Sequence, residues 1–342
     1  MSASKTINFD LWPTHETPAE GARIVPYLDI AGDDAPIDFL FTLGGKYGLI
    51  ARANLHTLQG TKKAGKSAAG LALIVAALKG DFIGIKASRD NLAVLWIDTE
   101  QDKNTLRQKA KAVLSMAELD KQPESLKIVT LRGYGGPAEA LAATLQAIEE
   151  NPADFVFLDG VVDLCQAFND EEKSREVVRQ LEAHAERYGA AILGLIHTNK
   201  RDNEARGHLG AIMQQKSAEI YQVNKEGNTA QVTQPFSRFA PVPAFSFTFA
   251  DNFKIAEPAG GNTDLEKWAA LNRAFVPLFA DAQQLTAGEL VRAYMDYYQK
   301  SKRTAQDAIK NAADTRVLDR HIEGRKVFYC IPFQEIDNDE DL

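Results

Sequence analysis

Gly60-Thr61-Lys62-Lys63-Ala64-Gly65-Lys66-Ser67 has the form G-x-x-x-x-G-K-S, and its flanks decide the fold. Ahead of it, Asn54-Leu55-His56-Thr57-Leu58-Gln59 alternates with a period of two, as a strand does. Behind it, residues 67–78 are rich in Ala, Leu, Ile and Val and read as a buried helix. Strand, glycine loop and helix together are what phosphate binding needs. Gly60 and Gly65 let backbone N–H groups turn inward around phosphate oxygens. The helix N-terminus adds partial positive charge. In such a loop Lys66 reaches the β- and γ-phosphates, and Ser67 offers its hydroxyl to Mg²⁺. Gly60, Thr61, Lys62, Lys63, Ala64, Gly65, Lys66 and Ser67 are therefore the expected nucleotide cradle. Lys62 and Lys63 either add charge to it or stay solvated.

Outward from the loop, strands and helices alternate. Residues 92–98 form a near-continuous apolar run, the pattern of a strand buried on both faces. Residues 102–119 carry Leu106, Ala110, Val113 and Leu114 at helical spacing. A strand is expected at 126–131 and a helix at 137–150, with Pro137 in its first turn. Another strand follows at 154–159, then a helix at 173–188 ended by Gly189, then a strand at 190–196. This alternation predicts an α/β domain, a parallel sheet with helices on both faces. Past Arg206-Gly207 the pattern changes. Residues 218–223 and 229–233 flank a glycine-containing loop, and 245–249 alternate, so the sheet is expected to continue into antiparallel strands. Residues 37–53 read as a short apolar lead-in to the first core strand.

At 342 residues, two domains are expected. The 45% apolar and 25% charged fractions are those of an ordinary globular protein. Net charge is −8, so any nucleic-acid site must be a local basic patch. Cys165 and Cys330 lie far apart and read as reduced thiols of a cytoplasmic protein. No apolar core follows the first residues, and the longest apolar run, 68–78, is too short to span a bilayer; no membrane partner is expected. Residues 1–36, broken by four prolines, read as an irregular N-terminal arm, 37–257 as the α/β domain and 258–263 as a linker. Residues 264–333 form a different unit. Helices at 268–279, 287–298 and 302–313 precede strands at 315–319 and 326–331, the outline of a winged helix. Residues 334–342 are an acidic tail.

The winged-helix unit holds the basic patch. Residues 285–331 contain nine Lys and Arg against six Asp and Glu, a net of +3 on a chain of −8. Lys302, Arg303 and Lys310 lie at helical spacing on the expected recognition helix, and Arg325 and Lys326 on the expected wing. Such placement suits DNA phosphate contact.

Hydrolysis needs more than a cradle. Asp159 ends an apolar strand at the sheet edge where ligands sit in open α/β folds, and suits a Mg²⁺-binding Walker B carboxylate. Asp98-Thr99-Glu100 ends another strand; Glu100 is the expected base for the attacking water, with Asp98 its competitor. The strand at 190–196 runs into His197-Thr198-Asn199-Lys200, where His197 or Asn199 could sense the γ-phosphate. No zinc-ligand spacing and no Ser/His/Asp constellation is evident.

Taken in order, the loop, Glu100, Asp159 and the Leu195-Ile196-His197-Thr198-Asn199-Lys200 segment resemble the RecA-like P-loop ATPase superfamily. Within it, Glu204-Ala205-Arg206-Gly207-His208-Leu209-Gly210 is similar to the Arg-Gly segment of the RepA-type hexameric helicase group. The resemblance covers about residues 40–250. It implies a RecA-like core, ATP between subunits of a homo-oligomer such as a hexameric ring, and an arginine finger crossing the interface. Arg206 fits that role best, Arg238 is a second candidate, and Lys216 and Lys225 are weaker ones. The expected activity is that of an ATP-hydrolysing, Mg²⁺-dependent motor acting on DNA. A DNA-binding switch without unwinding and a nucleotide-binding scaffold are the alternatives.

Overall fold

Strands whose apolar runs are unbroken need both of their faces covered, and the helices of this chain supply that cover. The computed structural model describes residues 36–198, 205, 207–259, 261, 263–279, 282–315, 317–324 and 326–331. The N-terminal arm (save Pro36) and the acidic tail lie outside these residues. The described residues from Ile37 onward form one compact unit. It opens with β1 (Phe39–Leu43), β2 (Tyr47–Ala51), β3 (Leu55–Gly60) and α1 (Lys66–Lys79). Then come β4 (Asp81–Phe82), β5 (Ile85–Ala87), β6 (Val94–Asp98), α2 (Lys103–Met116) and β7 (Leu126–Thr130). Next are α3 (Pro137–Glu150), β8 (Phe155–Asp159), α4 (Glu171–Tyr188), β9 (Ala191–His197), α5 (Gly207–Lys216) and β10 (Glu219–Glu226). The chain continues through β11 (Thr229–Ser237), β12 (Phe245–Phe249), β13 (Ile255–Ala256), α6 (Thr263–Phe275) and β14 (Leu285–Thr286). It finishes with α7 (Ala287–Tyr298), α8 (Lys302–Asp314), β15 (Asp319–Glu323) and β16 (Lys326–Cys330).

Among the described residues the central sheet has nine strands, in the order β13-β12-β11-β10-β3-β9-β8-β6-β7. From β10 to β7 they pair in parallel; β11, β12 and β13 add antiparallel pairs. Alternate residues feed opposite faces. Val94, Trp96, Phe155 and Phe157 join the cluster beneath α1 and α2, whereas Leu95, Ile97, Val156 and Leu158 join that beneath α3, α4 and α5. This two-sided burial is why β6 and β8 read as continuous apolar runs.

Residues 37–53 differ from the expected lead-in. Their Gly44-Gly45 turn closes a hairpin, β1 with β2, which β5 and β4 extend into a separate four-stranded sheet. Short strands such as β4 and β5 carry too few residues to show a period. The C-terminal helices share the first core cluster: Trp268 meets Tyr47 edge-on at 4.8 Å and donates to the Thr315 carbonyl. The strand expected at 315–319 is instead Asp319–Glu323, because Val317 and Leu318 are buried beneath α8, their N–H groups bonded to the Ala312 carbonyl. The helix expected at 268–279 gives way to a 3-10 turn at Val276–Phe279, where Pro277 removes an N–H donor. No helix among the described residues is long and apolar enough to cross a membrane.

Candidate nucleotide site

Sheet register gathers the candidate residues at one edge. Asp98 lies beside Asp159 across β6 and β8, and Gly60 beside His197 across β3 and β9. Above them opens a cleft of about 420 Å³ lined by the phosphate loop, Glu100, Asp159 and His197. Gly65 is demanded twice. Its φ is +101°, and a Cβ there would lie 2.7 Å from Phe249 Cζ. As N-cap it makes no side-chain cap, so the first N–H groups of α1 are left for an anion.

Lys66 is buried, and its ammonium donates to the Gly60 and Thr61 carbonyls at 3.0 Å each. It also sits 3.0 Å from His197 Nδ1. An ammonium has no acceptor, so Nδ1 accepts and the ring proton is on Nε2, which faces Glu100 Oε1 at 3.7 Å. Burial lowers Lys66 to about 8, against the pull of Asp159 and Glu100. The His197 contact holds the Glu100 carboxyl below its ordinary range, against the opposing effect of burial.

Ser67 donates to Asp159 Oδ2 at 2.8 Å. Burial raises Asp159 to about 6, with Lys109 the largest opposing influence. Asp98 serves the turn that carries Glu100: its Oδ1 accepts from the Glu100 and Gln101 N–H groups at 3.0 and 2.7 Å. Its Oδ2 is buried with no partner. The Ser67 hydroxyl, the Asp159 carboxylate and this orphaned oxygen are the hard donors Mg²⁺ takes, so the residues fit that ion. Among the described residues no group of three or more His, Cys, Asp or Glu is placed to hold a metal alone. The fit is to an ion that shares phosphate oxygens.

Of the sequence candidates, Lys66, Ser67, Glu100, Asp159 and His197 meet in this cleft, and Lys62 and Lys63 line its rim. Arg206, Asn199 and Arg325 lie outside the described residues. Arg238 is exposed beyond β11, next to the start of β10 and so at the opposite edge of the sheet, where it donates to the Lys216 carbonyl. Lys302, Arg303 and Lys310 are exposed on α8 while Ala305, Ile309 and Ala312 face inward; Lys326 is exposed on β16.

Three features escaped the sequence reading. Lys109 lines the cleft from α2, on the stripe of Leu106, Val113 and Met116; a lysine in an apolar stripe was the available signal. Phe253 lines it from the β12–β13 turn, and Lys225, weighed above only as an interface residue, places its ammonium 4.2 Å from the Phe249 ring. In that turn Asn252 and Phe253 have φ of +57° and +63°, and Lys254 N–H donates to the Asp251 carbonyl. This is a type I′ geometry with Phe where Gly is favoured.

No curated protein matches the sequence. Among solved structures, the crystal structure of the RadB recombinase is similar at 12% identity, covering 62% of this chain and 93% of that one, with a TM-score of 0.43. An AAA-domain family profile (AAA_25) matches residues 28–203, a span that contains the phosphate loop, Glu100, Asp159 and His197. With that match covering just over half of its length, the chain belongs to the AAA-domain family, and its phosphate loop stands at the edge of a mostly parallel α/β sheet.

Proposed function

We propose that this protein is a Mg²⁺-dependent ATPase of RecA-like type that works as a homo-oligomer on DNA, in the manner of RepA-type helicases. The observation that carries the reading is the convergence of Lys66, the Ser67–Asp159 pair and the Glu100–His197 pair on one cleft above a phosphate loop. The loop N–H groups and Lys66 bind the β- and γ-phosphates. Ser67 and Asp159 would hold Mg²⁺, which supplies charge neutralisation at the phosphate oxygens. Glu100, kept ionised by His197, orients the attacking water and accepts its proton. A γ-phosphate that draws the Lys66 ammonium away frees His197 Nδ1, so β9 carries the nucleotide state towards residues 199–206 and α5. Phe249 and Phe253 form the apolar wall for the base.

The finger arginine comes from a neighbouring subunit; Arg206 is the preferred residue and Arg238 the alternative. Residues 264–333 act as a winged helix: α6, α7 and α8 with the three-stranded sheet β14-β16-β15 support this reading. Lys302, Arg303, Lys310, Arg325 and Lys326 then contact DNA phosphates. The test is turnover of wild type, Lys66→Ala and Glu100→Gln with Mg²⁺-ATP, with and without single- or double-stranded DNA, with oligomeric state measured in the same buffer. Unchanged turnover in both variants refutes the ATPase assignment. ATP-dependent DNA retention without strand displacement replaces the helicase by a switch.

A further inference from the structure

Lys109 has no part in the hydrolysis just described, yet it enters the same cleft from behind. Lysine is rarely buried unless its charge is paired. Lys109 is 7% exposed and lies among the apolar residues of α2. Its ammonium stands 3.9 Å from Asp159 Oδ2, the oxygen that also accepts from Ser67. Beside Asp159 in register is Asp98, whose Oδ2 is buried and unpartnered. Before nucleotide arrives, this pair of buried carboxylates needs a positive charge. A divalent ion could supply it; the chain supplies its own. Lys66 does not compete for the role, since its three protons go to Gly60, Thr61 and His197.

We propose that Lys109 is a resident counter-cation of the Asp98–Asp159 pair that keeps divalent metal out of the nucleotide-free cleft, so that metal enters with the nucleoside triphosphate. The proposal rests on the reading of this cleft as a metal–nucleotide site. Its physics is Coulombic: a fixed unit charge about 4 Å from a carboxylate repels an incoming divalent ion strongly in a partly buried site. Phosphate oxygens add enough negative charge to overcome that repulsion and supply the missing ligands. Lys109 is thus a positioning residue. It holds Asp159 against Ser67 until the phosphates arrive.

The test is Mn²⁺ titration of the nucleotide-free, full-length protein followed by electron paramagnetic resonance, for wild type, Lys109→Gln and Lys109→Arg. Lys109→Gln should bind Mn²⁺ about tenfold or more tightly than wild type, as expected for removing one neighbouring charge. Its Mg²⁺-ATP turnover should nevertheless fall, and Lys109→Arg should restore weak metal binding. A merely structural lysine would lower both quantities when replaced. Equal or weaker Mn²⁺ binding by Lys109→Gln overturns the proposal; Lys109→Met, with thermal unfolding as a check, serves if the Gln variant does not fold. Absence of turnover in wild type would overturn the ATPase reading, whereas the Mn²⁺ comparison bears on Lys109 alone.

Discussion

The edge of the large sheet and the outer face of α8 use the same kinds of residue in opposite ways. At the sheet edge Lys66, Asp98, Lys109 and Asp159 are each less than a tenth exposed, and the fold holds them against one another. On α8 Lys302, Arg303 and Lys310 stand in solvent, while only the Ala305–Ile309–Ala312 stripe is held. Burial fixes geometry and shifts proton affinities, which is what chemistry needs. Exposure leaves charge mobile and screened by salt, which suits contact with a polyanion of any sequence. Substitutions at the first site should therefore act in large steps that salt hardly changes, and at the second in graded steps that salt erases.

The largest step is expected at Glu100. Glu100→Gln keeps the side chain's shape and removes the base, so turnover should fall by about 10²- to 10⁴-fold. Nucleotide affinity should stay within a few-fold, because Glu100 acts on the loop only as a charge near Lys66, which is a smaller influence there than burial. Single-turnover kinetics beside equilibrium binding measure the two. Asp98→Asn should behave differently: it weakens the turn behind Glu100, whose N–H groups bond Asp98 Oδ1, so it should lower stability as well as rate. A larger turnover loss in Asp98→Asn, with full stability, would exchange the two roles.

The exposed face gives the counterpart. Lys302→Ala, Arg303→Ala and Lys310→Ala together should leave DNA-independent turnover within about twofold. DNA affinity should drop, and the slope of log affinity against log salt should shrink by about 0.9 for each duplex phosphate that the variant no longer neutralises. Binding isotherms at several salt concentrations test this. An unchanged slope would make the C-terminal unit a protein-contact module instead.

The two regions also differed in how plainly the sequence announced them. Glu100, Asp159 and His197 follow or end strands with plain apolar runs, the phosphate loop is legible as a motif after an alternating strand, and the sheet register brings them to one edge. The large sheet was legible for the same reason. The small sheet was not, since β4 and β5 are two and three residues long. Lys109 was not legible because the helical spacing of Leu106, Ala110, Val113 and Leu114 passes over it. Phe253 was invisible for a different reason: nothing local distinguishes a strained aromatic in a turn from an ordinary surface residue. At the C-terminus, Val317 and Leu318 carried strand propensity yet pack under α8, a tertiary preference that no local window holds.

That turn offers a sharper contrast between function and stability. Phe253 at φ +63° is in a region where a side chain costs about 1 kcal/mol or more relative to Gly. It is also 44% exposed, so little burial repays the strain. Phe253→Gly should raise the thermal midpoint. It should also weaken ATP binding by about tenfold, in keeping with removal of a base–aromatic stack. Tripolyphosphate affinity should not change, since the phosphate loop is untouched. Equal weakening for ATP and tripolyphosphate would remove Phe253 from the base wall and make it a prop for Phe249.

The mildest effect comes from pH, and it too has two signs. Lys66 is lowered to about 8 from an ordinary value of 10.5. Below 8 it is charged and competent for phosphate; above 8 the free protein must first take up a proton to bind. Nucleotide affinity should therefore fall by up to about tenfold per pH unit above 8, and binding at pH 8 should draw about half a proton from buffer. Calorimetry in buffers of different ionisation enthalpy measures that uptake. Stability of the nucleotide-free protein runs the other way. The fold holds fewer protons on Lys66 than the unfolded chain does between 8 and 10.5, so this group's contribution to stability rises with pH through that window. Lys66→Arg separates the two lysine properties, because a guanidinium stays charged throughout. Any binding it retains should lose the alkaline decline, and a decline that survives would assign the titration to a group other than Lys66.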